Sequence, residues 1–427
     1  MYDQELIGQL VSKDNYYRDP AEVRALRHKA VAMAHKHHYH NNKFYHELCK
    51  TKDIGEDVDP STFHLLLFPD NVFKSYEVEN PEREPEKFHQ WVRTLTSHDL
   101  SFTPQKGKSL EALLEQYNQN GLFLGFSSGT SGKLTFLPRD QFTQSMIARS
   151  YVEAVDSTVT LNKGKDYFIL GIPSRTFLQV GFNGRTVATT LSPDRVTFGM
   201  DHLASDVVRL RMRGPRSLKE KVKNKAIQYM GPKVERRVVR TLVTALQEHK
   251  HDRVVFLAPP FLLVESARYV IEQGLDLKVT EESFLASTGG FKGRAVTSRE
   301  AMNKLLSEAF GISESQYLDL YGMTESNSIM VECTEENNKH VPPWMELVLL
   351  GENMEPLEQS GVVTGRYAFL EPSSRSFPAF ITTGDEITVD FDGCSCGKKT
   401  PIVTKIGRAM SVEDRGCSGV LSKTVGG

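Results

Sequence analysis

Residues 167–172 (YFILGI) and 254–259 (VVFLAP) are short, unbroken apolar runs, and few folds accommodate such runs in a water-soluble chain. A strand with one wet face alternates apolar and polar residues, so one that does not alternate is covered on both faces, as in a parallel sheet between helices. Pro173 ends the first run. After the second, Phe261, Leu262 and Leu263 open a helix whose apolar side could line a pocket. Residues 284–290 (FLASTGG) end another apolar segment in small residues, 299–310 have the spacing of an amphipathic helix, and 317–320 (YLDL) read as a further strand. Buried strands alternating with amphipathic helices predict an α/β core.

Other segments frame that core. Residues 1–110 read as polar and mostly helical, with Asp19-Pro20 capping a helix that runs into His35, His37, His38, His40 and nearby His46. Those histidines fall on several faces of one helix, which suits surface and cleft-edge positions better than a metal site. The stretch 65–74 (LLLFPDNVFK) is apolar, broken by a proline turn, and suited to docking the N-terminal helices on the body. A short helix is expected over 110–117, another after Asp140, and a pocket-wall loop over 174–184 (SRTFLQVGFNG). Residues 209–240 are distinctly basic, reading as a solvated helical face or as a docking face for an acidic partner. Beyond Val341 the segments WMELVLL, VTGRYAFLE and EITVDF are β-rich and separated by turns, predicting a mostly antiparallel subdomain. The expected organisation is 1–110 helical, 111–340 α/β core, 341–408 β-rich, and 409–427 tail.

Composition narrows the setting. A net charge of -2 over 427 residues gives no overall pull toward nucleic acid. No apolar run is long enough to span a bilayer and the start MYDQELIG lacks a signal peptide's pattern, so the cytoplasm is the expected compartment. Five cysteines cannot all pair, which directs attention to thiol chemistry and metal binding.

Residues 126–137 (FSSGTSGKLTFL) read as a tight loop between two strands. Gly129 and Gly132 allow main-chain N–H groups close to an anion, hydroxyls surround them, and Lys133 adds a point charge. The usual nucleoside-triphosphatase loop differs, having glycine at Ser127 and Ser or Thr at Leu134.

Three further motifs follow in order: STGG at 287–290, YGMTE at 321–325, and TGD at 383–385 with GR at 407–408. Together with SSGTSGK at 127–133 they resemble the adenylate-forming superfamily. The resemblance implies its large domain, stacked β-sheets flanked by helices with a small β-rich subdomain, and ATP and Mg²⁺ as cofactors. It implies that Ser127, Ser128, Gly129, Thr130, Ser131, Gly132 and Lys133 hold the β- and γ-phosphates. Gly289 and Gly290 would form a thin wall beside the adenine, Tyr321 and Gly322 would lie against the base, and Thr324 would contact the α-phosphate. Glu325 would hold Mg²⁺, and Asp385 with Arg408 would grip the ribose. Each assignment fits acyl-adenylate chemistry, in which charge develops on phosphate oxygens and calls for donors and a hard cation.

LLLFPDNVFK, APPFLLVE at 258–265, STGGFKG at 287–293 and SFPAFITTGD at 376–385 are more narrowly similar to the acyl-protein synthetase family, over nearly the whole chain. That resemblance implies acyl transfer from AMP to a C-terminal cysteine, here Cys417 in RGCS. Arg415 would favour its thiolate, while Glu413 and Asp414 oppose it. Superfamily members that make acyl-CoA carry a mobile C-terminal domain after the GR hinge, which this chain is expected to lack.

Cys333 and His340 (C-x6-H) with Cys394 and Cys396 (C-x-C) could complete a tetrahedral zinc site of structural type. The resulting expectation is ATP-dependent activation of a carboxylic acid, most simply an aliphatic one, with transfer to Cys417 or to an acyl-reductase, acyltransferase or carrier-protein partner. Its rivals are a phenylacetate-type aryl or short-chain carboxylate ligase delivering to CoA or a carrier protein, and an inactive nucleotide-binding scaffold in an acyl-reductase complex.

Overall fold

The computed structural model describes residues 2–128, 133–289 and 298–409. Its main element is a twelve-stranded mixed sheet. Five strands run parallel, in the spatial order Val196–His202, Tyr167–Arg175, Val254–Ala258, Phe284–Thr288, Tyr317–Gly322. At the far side of Tyr317–Gly322 the sheet turns antiparallel, continuing through Ile329–Glu332, Lys339–His340, Ile402–Arg408, Ala379–Asp390, Val362–Glu371 and Glu346–Leu350. The two-residue strand Phe68–Pro69 adds in parallel to Ala379–Asp390.

The unbroken apolar runs have the expected cause. Ile169, Val254, Phe256, Leu285 and Tyr317 pack into one hydrophobic cluster, while Phe168, Leu170, Val255, Phe284, Ala286 and Leu318 pack into another. Side chains alternate between two faces, and helices or further core cover both. The first cluster is closed by Pro260–Glu272, Arg299–Phe310 and the C-terminal turns of Leu218–Glu248. The expected stacked sheets and the β-rich region appear as one continuous hydrogen-bonded sheet. The strands Leu122–Ser128 and Leu134–Asp140, which flank the glycine-rich motif in the chain, pair antiparallel in a separate two-stranded sheet.

Helix starts follow the sequence. Asp19 accepts from the N–H groups of Ala21 and Glu22, and Asp140 accepts from Thr143 at 2.8 Å to open Gln141–Asp156. Two local expectations need correcting. Residues 174–184 are not a loop: the preceding strand runs to Arg175 and the helix Gln179–Leu191 begins four residues later. Its first residue, Gln179, is buried and hydrogen-bonded, which offsets the polar, glycine-containing sequence.

The histidines of the long helix Pro20–Asn41 are not uniformly surface groups either. His35 and His38 are fully buried. His35 bonds Tyr45 Oη and the Gly55 carbonyl, each at 2.8 Å, and His38 bonds Ser97 Oγ at 2.7 Å and the Ser374 carbonyl at 3.1 Å. Burial pulls both pKa values below the usual histidine range, so they serve as neutral polar ties, His35 within the N-terminal region and His38 from it to the residues between the strands Val362–Glu371 and Ala379–Asp390.

Candidate active site

Where the sheet changes from parallel to antiparallel, the turn 323–328 leaves it, and a cavity of about 830 Å³ opens there. Such a switch in strand direction leaves a crevice at the strand ends, a common place for ligands. Ser127, Gly289, Tyr321, Gly322, Thr324, Glu325, Asp385 and Arg408 all line it.

Strand register brings the TGD and GR motifs together, because Asp385 and Arg408 are direct partners across adjacent antiparallel strands. Arg408 Nη1 donates to Asp385 Oδ1 at 2.9 Å, and Tyr321 Oη donates to Asp385 Oδ2 at 2.6 Å. The Asp385 backbone N–H donates to Thr383 Oγ1 at 3.1 Å. Burial, followed by the Tyr367 and Asp385 charges, pushes the Tyr321 phenol far above its ordinary range, so it stays a donor. The Arg408 side chain is 74% exposed, which leaves this end of the cavity open to a ligand.

Glu325 lies deeper, at 8% exposure. Burial and then the neighbouring Asp70 carboxylate raise it to about 7, with Lys74 and Arg139 partly opposing. Asp70 and Lys74, both from the 3₁₀ turn Asp70–Lys74, line the same cavity. A buried carboxylate beside a second carboxylate in a polar cavity forms a donor set that a hard divalent cation would relieve, so the residues fit Mg²⁺. Sequence reasoning treated LLLFPDNVFK only as a docking segment and missed these two groups.

It also missed Arg139, which is fully buried on the strand Leu134–Asp140. Its guanidinium donates to the Thr324 carbonyl, to Asn327 Oδ1 at 3.3 Å and to Gln179 Oε1 at 2.9 Å. Glu371 accepts from Asn327 N at 2.7 Å and Ser326 Oγ at 3.0 Å on the same turn. A charged residue within FLPRD was the available signal. Together Arg139 and Glu371 fix the backbone that presents Thr324 and Glu325.

A second cavity of about 240 Å³ adjoins the first and shares Gly289, Gly322, Met323 and Thr324 with it. Phe168, Leu170, Val187, Leu257 and Phe284 make it apolar. Gly289 has φ 87°, a conformation that suits glycine, at the point where the cavities meet. Of the expected wall 174–184, Gln179, Val180, Asn183 and Gly184 line the cavity, as do Ala258 and Pro259, but Phe261, Leu262 and Leu263 do not: Leu262 and Leu263 are buried in the core beneath.

Lys133 is placed elsewhere. Its Nζ donates to the Tyr76 carbonyl at 3.0 Å and faces a separate cavity of about 260 Å³ with Arg209, Arg213 and Arg216. Gly129, Thr130, Ser131, Gly132, Gly290 and Cys417 lie outside the described residues, as does the Ser128 side chain.

The cysteine and histidine candidates do converge. The ligating atoms of Cys333, His340, Cys394 and Cys396 all lie within 4.8 Å of one another. Cys333 Sγ is 3.6 Å from Cys394 Sγ, and Cys396 Sγ is 3.3 Å from His340 Nε2. Ligands around a tetrahedral zinc are separated by roughly 3.5–3.8 Å given its bond lengths. His340 Nδ1 is occupied by Thr400 Oγ1 at 3.1 Å, which aims Nε2 at the thiols. Burial lowers His340 to about 4, keeping it neutral, and raises Cys394 to about 12, a cost that a bound cation would remove.

Residues 221–426 match the family model described as "Acyl-protein synthetase, LuxE". This chain is a relative of the acyl-protein synthetases. It is 23% identical over 392 residues to the long-chain-fatty-acid–luciferin-component ligase of Vibrio harveyi, covering 90% of this chain and 85% of that one. The protein of the same description from Aliivibrio fischeri is 24% identical over 370 residues, covering 85% and 79%. Among solved structures, 2-hydroxyisobutyryl-CoA ligase with 2-HIB-AMP and CoA superposes with a TM-score of 0.56 at 15% identity, over 92% of this chain and 69% of that chain. A post-adenylation form of that ligase gives 0.54 at 14% identity, over 90% and 66%. The acyl-protein synthetase relative thus has the fold of adenylate-forming ligases.

Proposed function

We propose that this enzyme joins a carboxylic acid to AMP and then passes the acyl group to a thiol. The observation that carries the reading is the meeting of a polar cavity bearing Tyr321, Glu325, Asp385 and Arg408 with an apolar one at Gly289 and Gly322–Thr324. A nucleotide suits the first and an aliphatic chain the second, which brings carboxylate and α-phosphate together at Thr324. A carboxylate oxygen attacks the α-phosphorus and the bond to pyrophosphate breaks. A thiolate then adds to the acyl carbonyl and AMP departs.

Asp385 and Arg408 would orient the ribose, Tyr321 would lie against the base, and the turn held by Arg139 would place Thr324 at the α-phosphate. Glu325, with Asp70, would hold Mg²⁺, which supplies charge neutralisation on the phosphates. Ser127, which lines the cavity, and the residues 128–132 would take the outer phosphates, and Lys133 would join them only by leaving the Tyr76 carbonyl. Cys417 is our candidate acceptor, with a carrier or reductase protein as the onward partner. Both curated relatives are described as ligases of long-chain fatty acids, which favours a fatty acid over the aryl acids of a phenylacetate-type ligase. Retention of Glu325, Asp385 and Arg408 in one cavity speaks against an inactive scaffold.

Cys333, His340, Cys394 and Cys396 would bind zinc as a clamp. They tie the segment after the 323–328 turn to the segment leading into the strand Ile402–Arg408, so both walls of the nucleotide cavity depend on them. ATP–pyrophosphate exchange over aliphatic acids of increasing length, with phenylacetate beside them, tests the reading. Exchange is expected with the aliphatic series; none, or exchange with phenylacetate alone, overturns it. Labelled fatty acid should form a hydroxylamine-sensitive bond to the chain that Cys417→Ser abolishes, and surviving label moves the acceptor elsewhere.

A further inference from the structure

The helix Leu218–Glu248 is buried only towards its C-terminal end, through Val238, Val239, Leu242, Val243, Ala245 and Leu246. Its first turns stand in solvent and carry Leu218 at 81% exposure, Val222 at 71%, Tyr229 at 73% and Met230 at 55%. These four and Val234 are five of the eleven large hydrophobic side chains exposed among the described residues. Scattered exposed apolar residues need no explanation, but a concentration on one helix does.

At about 100° per residue, Leu218, Val222 and Tyr229 fall within roughly 40° of one another, with Met230 on the flank. Lys219, Lys225 and Lys233 border the same face, and no ion pair engages them among the described residues. Residues 218–240 hold eight cationic and two acidic side chains, a net of +6 on a chain whose total is -2. The positive charge is therefore a local feature set against a negative remainder.

We propose that this helix docks the enzyme on an anionic lipid surface, with Leu218, Val222, Tyr229 and Met230 entering the interface and the lysines meeting headgroup phosphates. The row is a convex ridge with apolar and cationic groups interleaved, which a deformable planar surface can receive along its whole length. Long lysine stems keep their ammonium groups at headgroup level while the apolar side chains sink, and a tyrosine suits that boundary. The proposal concerns a surface apart from the nucleotide cavity, so it stands or falls independently of the catalytic reading.

Flotation of the full chain with vesicles tests it. Binding is expected to phosphatidylcholine containing about 30 mol% phosphatidylglycerol, with far less to phosphatidylcholine alone and loss at about 0.5 M salt. Replacing Lys219, Lys225 and Lys233 with glutamine should weaken partitioning by roughly fivefold per lysine. Leu218→Ser with Val222→Ser and Tyr229→Ser should lower it at least about tenfold, because those side chains lose their burial. All six positions are exposed, so melting temperature should hold. Absence of binding to the anionic vesicles overturns the proposal and leaves an acidic protein as the occupant. Undiminished binding by the triple serine variant overturns it as well, since the ridge would then not enter the interface.

Discussion

The two cavities that meet at Gly289 and Gly322–Thr324 are built in opposite ways. The polar one draws on short segments far apart in the chain: Asp70 and Lys74, Ser127, Gly289, 321–325, 383–385 and 406–408. Its ribose-side groups are held by named partners, as Asp385 is by Tyr321 and Arg408. The apolar one is lined by residues that also serve as core, such as Phe168, Leu170 and Phe284. Polar groups act by identity and direction, so each tolerates little change, whereas an apolar wall acts through shape and volume. The first cavity should therefore fail sharply on single substitutions and the second should retune.

The largest effect is expected at Asp385. Asp385→Ala removes the acceptor of two hydrogen bonds involving a charged group, worth about 1.5–3 kcal/mol each, and strands the Tyr321 hydroxyl. Pyrophosphate exchange should fall by roughly 10²-fold or more in kcat/KM for ATP, about what two such contacts supply. The same variant should leave the ranking of acids by chain length unchanged. A reshuffled ranking would break the division between the cavities, because the polar end would then be reading the acid.

The cluster of Cys333, His340, Cys394 and Cys396 comes next, since a metal bound there would act on the polar cavity through the sheet and not by contact with ligand. Cys394→Ser removes one of four donors, and metal analysis of the parent should give close to one zinc per chain, with much less in the variant. Structural zinc contributes directly to folding, so the melting temperature should drop by roughly 5–10 °C for a loss of a few kcal/mol. The KM for ATP should rise more than the KM for the acid. Equal rises, or a parent without zinc, would refute the clamp.

How much of this could be read beforehand follows the same division. The buried strands were legible because unbroken apolar runs have few homes, and the Asp385–Arg408 pair was legible as two motifs although only strand register makes them neighbours. Arg139 was not legible. Its role depends on the carbonyl of Thr324 and the amide of Gln179, which come from other segments and exist as partners only in the fold. The buried histidines failed for a related reason: helical spacing places His35 and His38 on a helix, yet Tyr45, Gly55, Ser97 and Ser374 decide that they are buried and neutral. The segment 174–184 read as a loop because its glycines lower helix propensity, while packing of the helix from Gln179 against Phe123 and Ile172 overrides that preference.

The smallest and most selective effect should come from the apolar wall. Val187 sits on the Gln179–Leu191 helix facing the cavity, and Val187→Phe would fill on the order of 50 Å³ of its volume, near that of two methylenes. At about 0.8 kcal/mol for each buried methylene, the longest acid that the parent accepts should lose roughly tenfold in kcat/KM. Acids two or more carbons shorter should be nearly unaffected, and the KM for ATP should stay within about twofold, because the shared residues Gly289 and Gly322–Thr324 are untouched. A uniform loss across all acids would mean that the substitution disturbs Thr324 and hence both cavities. A loss confined to long acids would locate the end of the acyl chain at this helix, and would show that the walls least distinctive in sequence set which acid reaches the ATP.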